Sequence, residues 1–549
     1  MMQHILRRWS GLLLILVAVI WFGNLEYRTL VKPDEGRYAE IPREMVASGD
    51  WVTPRLNDLK YFEKPPLQYW ATAVAYEAFG EHQWTSRLWT ALTGFLGLFL
   101  TWFAGSRLFG REAGYYAALL LGGSWMYAMM GHINTLDMGV TFFVTLGIFG
   151  LLLAQYRDHD ARTQRNWMLL AWAGLALAVL SKGLMGIILP GTALVIYSAA
   201  QRDFAVWKRM HWLSGLALFL LITVPWFVLV IKANPEFFER FFIYEHFTRF
   251  TTKKLGRYQP WYYFVPILLI GMLPWTLLMI DTALRTWRNS ARVVQTFNPQ
   301  RFLLVWAVFI YVFFSVSGSK LPSYLLPMFP ALALLMGKQL AEMDGKRLFW
   351  LIVPFVPLMA LGIGLASQTP KLANNPDQAA LYAAYVPWLV GAAGIMLFGL
   401  LLGSGMVLRR NKLMAVSVIA FCSLLAAQVG LSGYNTAARE RSALHIAKVI
   451  QPLVKPETPL YSVLTYEQTL TFYLKHTFTL VAYKDEMDFG ILQEPQRWIP
   501  DLETFGKVWQ NQPHALAIMP VYVYPLLEKQ GVPMKIVFKD YQHIVVSKP

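Results

Sequence analysis

Acidic and basic side chains crowd into one stretch of the chain, KPDEGRYAEIPREMVASGDWVTPRLNDLKYFEKPPLQYW, residues 32–70. Asp34 and Glu35 follow directly on an apolar run. A carboxylate pair at a water–lipid boundary can serve as a base, a cation ligand or an amine clamp. IPREMVASG, 41–49, has the pattern of one or two helical turns at the interface. YFEKPP then sets Glu63 beside Lys64 and stiffens the backbone with two prolines. Any one of these acids could be an ordinary solvated carboxylate, but two such clusters in one basic loop ask for a ligand. Asp137, in GHINTLDMGV, falls one turn inside an apolar segment, where a carboxylate is costly unless it is paired or faces a wet cavity. A helix N-cap is the plain alternative, and Asn134 or Thr135 could fill that role equally well. Lys182, in LSKGLMG, occupies a short turn between apolar helices, where snorkelling alone could hold it. Arg249 in YEHFTRF and the stretch KLPSY, Lys320 to Tyr324, belong to the same membrane face. Cations and a phenol converging beside an apolar groove suit a lipid-linked phosphate, which takes charge-assisted hydrogen bonds at the headgroup level. His246 could join Glu63 on a divalent cation, although two ligands from distant loops form a sparse set. No other cofactor is expected.

The elements that position these groups are membrane helices. The chain has 549 residues, 56% hydrophobic and 15% charged, with positive mean hydropathy, a composition foreign to ordinary soluble domains. At about 20 apolar residues per crossing, segments between 11 and 431 provide about thirteen spans. The segment 11–25 follows Arg7 and Arg8 and lacks a small-x-small cleavage site, so it is expected to be an uncleaved first helix. Lys and Arg gather in alternate connections, which puts the N-terminus in the cytoplasm. Two external loops break that rule: 26–83 and 232–260 are both rich in Lys and Arg. Basic charge on the face where topology disfavours it points again to an anionic ligand. Trp51, Trp70, Trp84, Trp226, Trp261 and Trp275 stand near span ends, as an aromatic belt requires.

After about 434 the hydropathy drops. Residues 435–549 read as a small soluble α/β domain outside the cytoplasm, with strands at 459–465, 478–483, 514–521 and 535–547 and helices around 466–475 and 502–511. The net charge of +16 falls in loops that face lipid headgroups or an anionic substrate, so nucleic acid is a poor partner. Cys422 is the only cysteine, so no intrachain disulfide can form. The chain contains no Walker A loop, GxGxxG turn, HExxH or CxxC, which leaves an ATP-driven pump or a nicotinamide enzyme without support. Chemistry outside the cytoplasm needs a substrate delivered there, and a lipid-linked donor meets that need.

KPDEGRY, FEKPPLQYW, SKGLMG and SGSKLPSYLLPMFPALALL, in this order, resemble the C-type, polyprenyl-phosphate-dependent glycosyltransferases. Among these the chain is most similar to the aminoarabinose transferases of Gram-negative bacteria, over about residues 1–434. The resemblance implies an α-helical polytopic enzyme of the bacterial inner membrane with its active site and C-terminal domain in the periplasm. It would move 4-amino-4-deoxy-L-arabinose from undecaprenyl phosphate to a lipid A phosphate, giving resistance to polymyxin and cationic peptides. It implies Asp34, Glu63 and Asp137 as the catalytic acids and Lys182, Arg249, Tyr324 and Tyr38 on the donor phosphate and lipid. Glu35, Arg37, Tyr61 and Lys64 would face the sugar and acceptor. A protein O-glycosyltransferase would share the spans and the first-loop acid. A lipid transporter or flippase would instead keep its ionisable groups at mid-membrane and show repeated halves, and no internal repeat is seen.

Overall fold

The computed structural model describes residues 15–156, 159–248, 259–290 and 297–548. Wherever the chain is described, each apolar segment expected from sequence falls on helix. Among the described residues, eight helices are long and apolar enough to cross a membrane, or nine if one bent pair is a single span. The chain is a multi-pass membrane protein. The other expected spans are helical but shorter or more charged: 15–22, Arg111–Gly122 followed by Trp125–Met130, Ala161–Lys182, and Met185–Gln201. The segment expected to run straight over 261–280 is instead two helices, Phe264–Gly271 and Thr276–Arg288, set at 109°. Pro274 stands between them and cannot donate a backbone hydrogen bond, so the helix does not continue through it.

The first external loop is folded, not extended. Its helix Asp34–Ser48 begins at Pro33, places Asp34 and Glu35 in the first turn where the helix dipole favours acids, and stops at Gly49. The expected one or two turns over 41–49 are thus the second half of a longer helix. A two-stranded hairpin follows, β1 (Arg55–Leu56) against β2 (Leu59–Lys60), and after the paired prolines the helix Leu67–Phe79 leads back to the membrane.

The C-terminal region, beyond the helix Lys412–Ala437, carries six further strands: β3 (Leu460–Val463), β4 (Thr479–Val481), β5 (Trp498–Ile499), β6 (Leu516–Pro520), β7 (Lys535–Lys539) and β8 (His543–Ser547). They form one sheet in the order β5-β4-β3-β6-β8-β7; β3 to β6 run parallel and the β7–β8 hairpin closes the edge antiparallel. The single run expected over 535–547 is that hairpin, turned at Asp540–Gln542, where Asp540 accepts from the backbone of Gln542 and His543. The two-residue strand β5 has no apolar run long enough to announce it.

First loop and C-terminal sheet share a core. Tyr38, Ile41, Met45, Leu56, Leu59 and Tyr61 pack with Tyr466, Leu480, Met487 and Ile491. Around it, Asn57 and the backbone of Phe478 exchange hydrogen bonds of 2.8 and 2.7 Å, Arg55 pairs with Glu494 at 2.9 Å, and Lys32 pairs with Glu467 at 2.6 Å. The soluble region is therefore seated on the loop that carries the candidate chemistry.

Candidate active site

Separated parts of the chain converge on one cleft of about 220 Å³. Asp34, Arg37 and Tyr38 come from the first-loop helix, Glu63 and Lys64 from the turn ahead of Leu67–Phe79, Asp137 from the start of Leu136–Tyr156, and Lys182 from the end of Ala161–Lys182. Tyr324 enters from the 3-10 turn Pro322–Met328. Much of the remaining lining is apolar: Val140, Val144, Leu189, Trp306, Phe313 and Phe314. One cavity thus carries both charged and apolar walls.

Lys182 owes its place to Gly183, whose φ of 79° lets the chain turn away immediately after the helix and leaves the lysine at its end. Its ammonium pairs with Asp137 and lies 5.0 Å from the centre of the Tyr324 ring. Asp137 is therefore an ion-pair partner inside the cleft, not a cap alone. Arg37 divides its guanidinium between two carboxylates: Nη1 is 3.3 Å from Asp34 Oδ1, and Nη2 pairs with Glu486 of the C-terminal region. The rings of Tyr61 and Tyr38 lie 5.6 and 5.9 Å from it. Lys64 donates to the Glu63 carbonyl at 2.8 Å and stands 3.9 Å from Glu245, another cleft acid, which Arg240 approaches at 3.4 Å.

Two expected contacts do not reach the cleft. Glu35 is on the far side of its helix, 1% exposed, where Arg87 grips it bidentately at 2.8 and 2.9 Å and the amides of Asn134 and Val31 donate at 3.0 and 3.2 Å. Successive residues of an α-helix point about 100° apart, so Glu35 turns away from the face that Asp34, Arg37 and Tyr38 share. Burial on its own would raise the Glu35 carboxyl, but Arg87, with Arg28 and the Asn134 amide, outweighs it and holds the group below the usual carboxylate range. Tyr61 is buried beneath Arg37, and burial raises its phenol well above the ordinary value. It supports the arginine and does not line the cavity.

Arg249 lies outside the described residues, as does the His246 side chain, so the suggested Glu63–His246 cation pair rests on a partner not in view. Among the described residues no group of three or more His, Cys, Asp or Glu is placed to hold a metal. Lys320 donates to the carbonyls of Gln259 and Ser317 at 2.9 and 2.6 Å, which makes it a loop tie.

Sequence reasoning missed Arg87, Glu245 and Glu486. Arg87 had a signal, since an arginine inside an apolar helix is itself a candidate. Glu486 had none, because KDEMD reads as solvated surface.

Comparison with known proteins fits this geometry. Residues 446–548 match the family of the aminoarabinose transferase C-terminal domain, and residues 10–239 match that of the dolichyl-phosphate-mannose-protein mannosyltransferases. An undecaprenyl phosphate-alpha-4-amino-4-deoxy-L-arabinose arabinosyl transferase of Pseudomonas fluorescens is 34% identical over 70% of this chain and 71% of its own. One from Proteus mirabilis is 30% identical over 88% and 87%. The chain belongs to the aminoarabinose transferase family. As a member of that family it is a glycosyltransferase of the C-type fold, and its closely matching shape agrees. The crystal structure of ArnT from Cupriavidus metallidurans bound to undecaprenyl phosphate superposes with a TM-score of 0.93 and 39% identity over 98% of both chains. An archaeal oligosaccharyltransferase at 13% identity and a TM-score of 0.51 shares the fold alone. The family match over 446–548 extends the likeness to the C-terminal region, which the motifs of residues 1–434 do not cover.

Proposed function

We propose that this aminoarabinose transferase moves 4-amino-4-deoxy-L-arabinose from undecaprenyl phosphate to a phosphate of lipid A at the periplasmic face of the inner membrane. The product carries less negative charge, so polymyxin and other cationic peptides bind the surface less well. In this reading residues 1–434 form the transferase domain and 435–549 a periplasmic domain. The observation that carries it is the shared cleft: the Lys182–Asp137–Tyr324 corner lines one cavity with apolar side chains suited to a polyprenyl tail.

The acceptor needs little help from a base, since a phosphomonoester is largely ionised at neutral pH. Asp34 then acts on the sugar, where its charge offsets positive charge developing at an oxocarbenium-like anomeric centre and can hold the sugar ammonium. As the glycosidic C–O bond to the polyprenyl phosphate breaks, the electron pair leaves with the phosphate, and Lys182, oriented by Asp137, balances that charge. Lys64, beside Glu63, steers the acceptor phosphate. Attack opposite the leaving group inverts the anomeric carbon in one displacement.

Purified protein in liposomes, supplied with the labelled polyprenyl donor and lipid A, is expected to yield lipid A heavier by the aminopentose in mass spectrometry. With periplasmic extract added, label on its proteins instead of lipid A would favour a protein O-glycosyltransferase, and donor crossing the bilayer with no bond broken would favour a flippase. Lys182→Met is expected to raise the KM for the donor by roughly 10- to 100-fold, the worth of one charge-assisted hydrogen bond of about 1.5–3 kcal/mol. Lys182→Arg should recover part of it; an unchanged donor KM would remove Lys182 from the phosphate site.

A further inference from the structure

We propose that the C-terminal region supplies a positioning residue to the active site: Glu486, through its ion pair with Arg37, keeps Asp34 available to substrate. The inference rests on the transfer reading above. Arg37 lies on the cleft face of the first-loop helix one turn from Asp34, and its two terminal nitrogens take different carboxylates, Nη1 Asp34 at 3.3 Å and Nη2 Glu486. Both Arg37 and Glu486 are at least nine-tenths buried by side-chain area, at 8% and 10% exposed, whereas Asp34 is 39% exposed to the cleft. Glu486 is itself fixed by Gln468, whose Nε2 donates to its Oε1 at 2.6 Å.

The docking is as tight as backbones permit. A Cβ on Gly36 would lie 2.6 Å from the carbonyl carbon of Gln468 and 2.7 Å from the nitrogen of Thr469, so only glycine lets the loop helix approach the C-terminal helix Gln468–Leu474 this closely. That glycine stands between Glu35 and Arg37. The region that holds Glu486 is thereby locked to the turn that carries Asp34.

The chemical consequence follows from competition for one cation. A guanidinium shared between two carboxylates leans on neither fully. Without Glu486 the whole of its charge falls to Asp34, and the bidentate pair that Arg forms readily with a lone carboxylate would neutralise the group that must face the sugar. Glu486 does not line the cleft, so it acts through Arg37 and touches no substrate.

The test is a double-mutant cycle in the liposome assay, with Glu486→Gln, Arg37→Gln and the pair. Glu486→Gln is expected to lower kcat by on the order of 10- to 100-fold, the scale of a small misplacement at a reacting centre, with donor KM changed far less. In the Arg37→Gln background it should change kcat by less than about threefold, because the group it acts through is gone. Gln468→Met, which loosens Glu486 and leaves its charge, should show the same kcat loss in milder form and serves for the cycle if Glu486→Gln does not fold. Wild-type rates for Glu486→Gln, or full additivity with Arg37→Gln, would overturn the proposal. Absence of transfer by the wild-type protein would instead overturn the reading of its reaction.

Discussion

Asp34→Asn is expected to reduce sugar transfer by at least about a hundredfold, with the donor still bound. Asparagine keeps the size of the side chain and an oxygen that Arg37 can reach at about the present 3.3 Å, so the cleft should keep its shape. What it loses is a full negative charge beside the anomeric carbon. Removing one preorganised electrostatic partner from a water-poor site costs on the order of 10²–10³ in kcat, and removing an acid–base residue costs roughly 10²–10⁴. The measurement is the initial rate with labelled donor in liposomes, alongside donor binding followed by tryptophan fluorescence. A rate within about threefold of wild type would take Asp34 off the list of catalytic groups.

Much of the cleft was legible because the membrane makes charge expensive. Asp137 and Lys182 stand at the ends of apolar helices, where an unpaired ion is costly, and they find each other. The paired prolines after Lys64 and the acids of the first loop marked a built structure, and the loop is folded as they suggest. Glu35 was misplaced by adjacency: being next to Asp34 in sequence put it on the opposite side of a helix, and only the rule of three or four residues groups Asp34 with Arg37 and Tyr38. A longer first-loop helix, read from residue 34 and not from 41, would have shown this. The 109° bend between Phe264–Gly271 and Thr276–Arg288 was masked by continuous hydropathy, which reports burial in lipid and not direction. Glu486 could not be found from sequence at all, since its burial arises from the docking of one region on another.

Arg87→Leu should be the most damaging substitution away from the cleft, and it carries a sign that identifies its cause. Arg87 is fully buried, binds Glu35 bidentately, and also donates to the carbonyls of Leu25, Arg28 and Thr29 at 2.8, 2.6 and 2.9 Å. It staples the end of the first membrane segment to the loop helix, while Glu35 reaches on to the Asn134 amide just ahead of Asp137. Taking one partner from such a pair leaves a buried charge uncompensated and costs about 3–5 kcal/mol, a large share of the 5–15 kcal/mol typical of a folded domain. Arg87→Lys should be intermediate, since an ammonium cannot match the two-pronged contact. In the wild-type protein the Glu35 carboxyl is held below its unfolded value, so its contribution is present above the unfolded pKa and is lost as pH falls through the folded one. In Arg87→Leu only Arg28 and the amides of Asn134 and Val31 remain against burial, the largest influence, which should then raise the same carboxyl above its unfolded value. The folded state then binds the proton more tightly than the unfolded chain, and stability should rise as pH falls toward about 4. Thermal unfolding of the detergent-solubilised protein between pH 7 and 4.5 reads the difference: Glu35 of the wild type stays ionised over this window, so the variant is expected to gain stability on acidification relative to the wild type. Parallel slopes, or an Arg87→Leu melting temperature equal to wild type, would mean that the Glu35–Arg87 pair does not hold the loop in place.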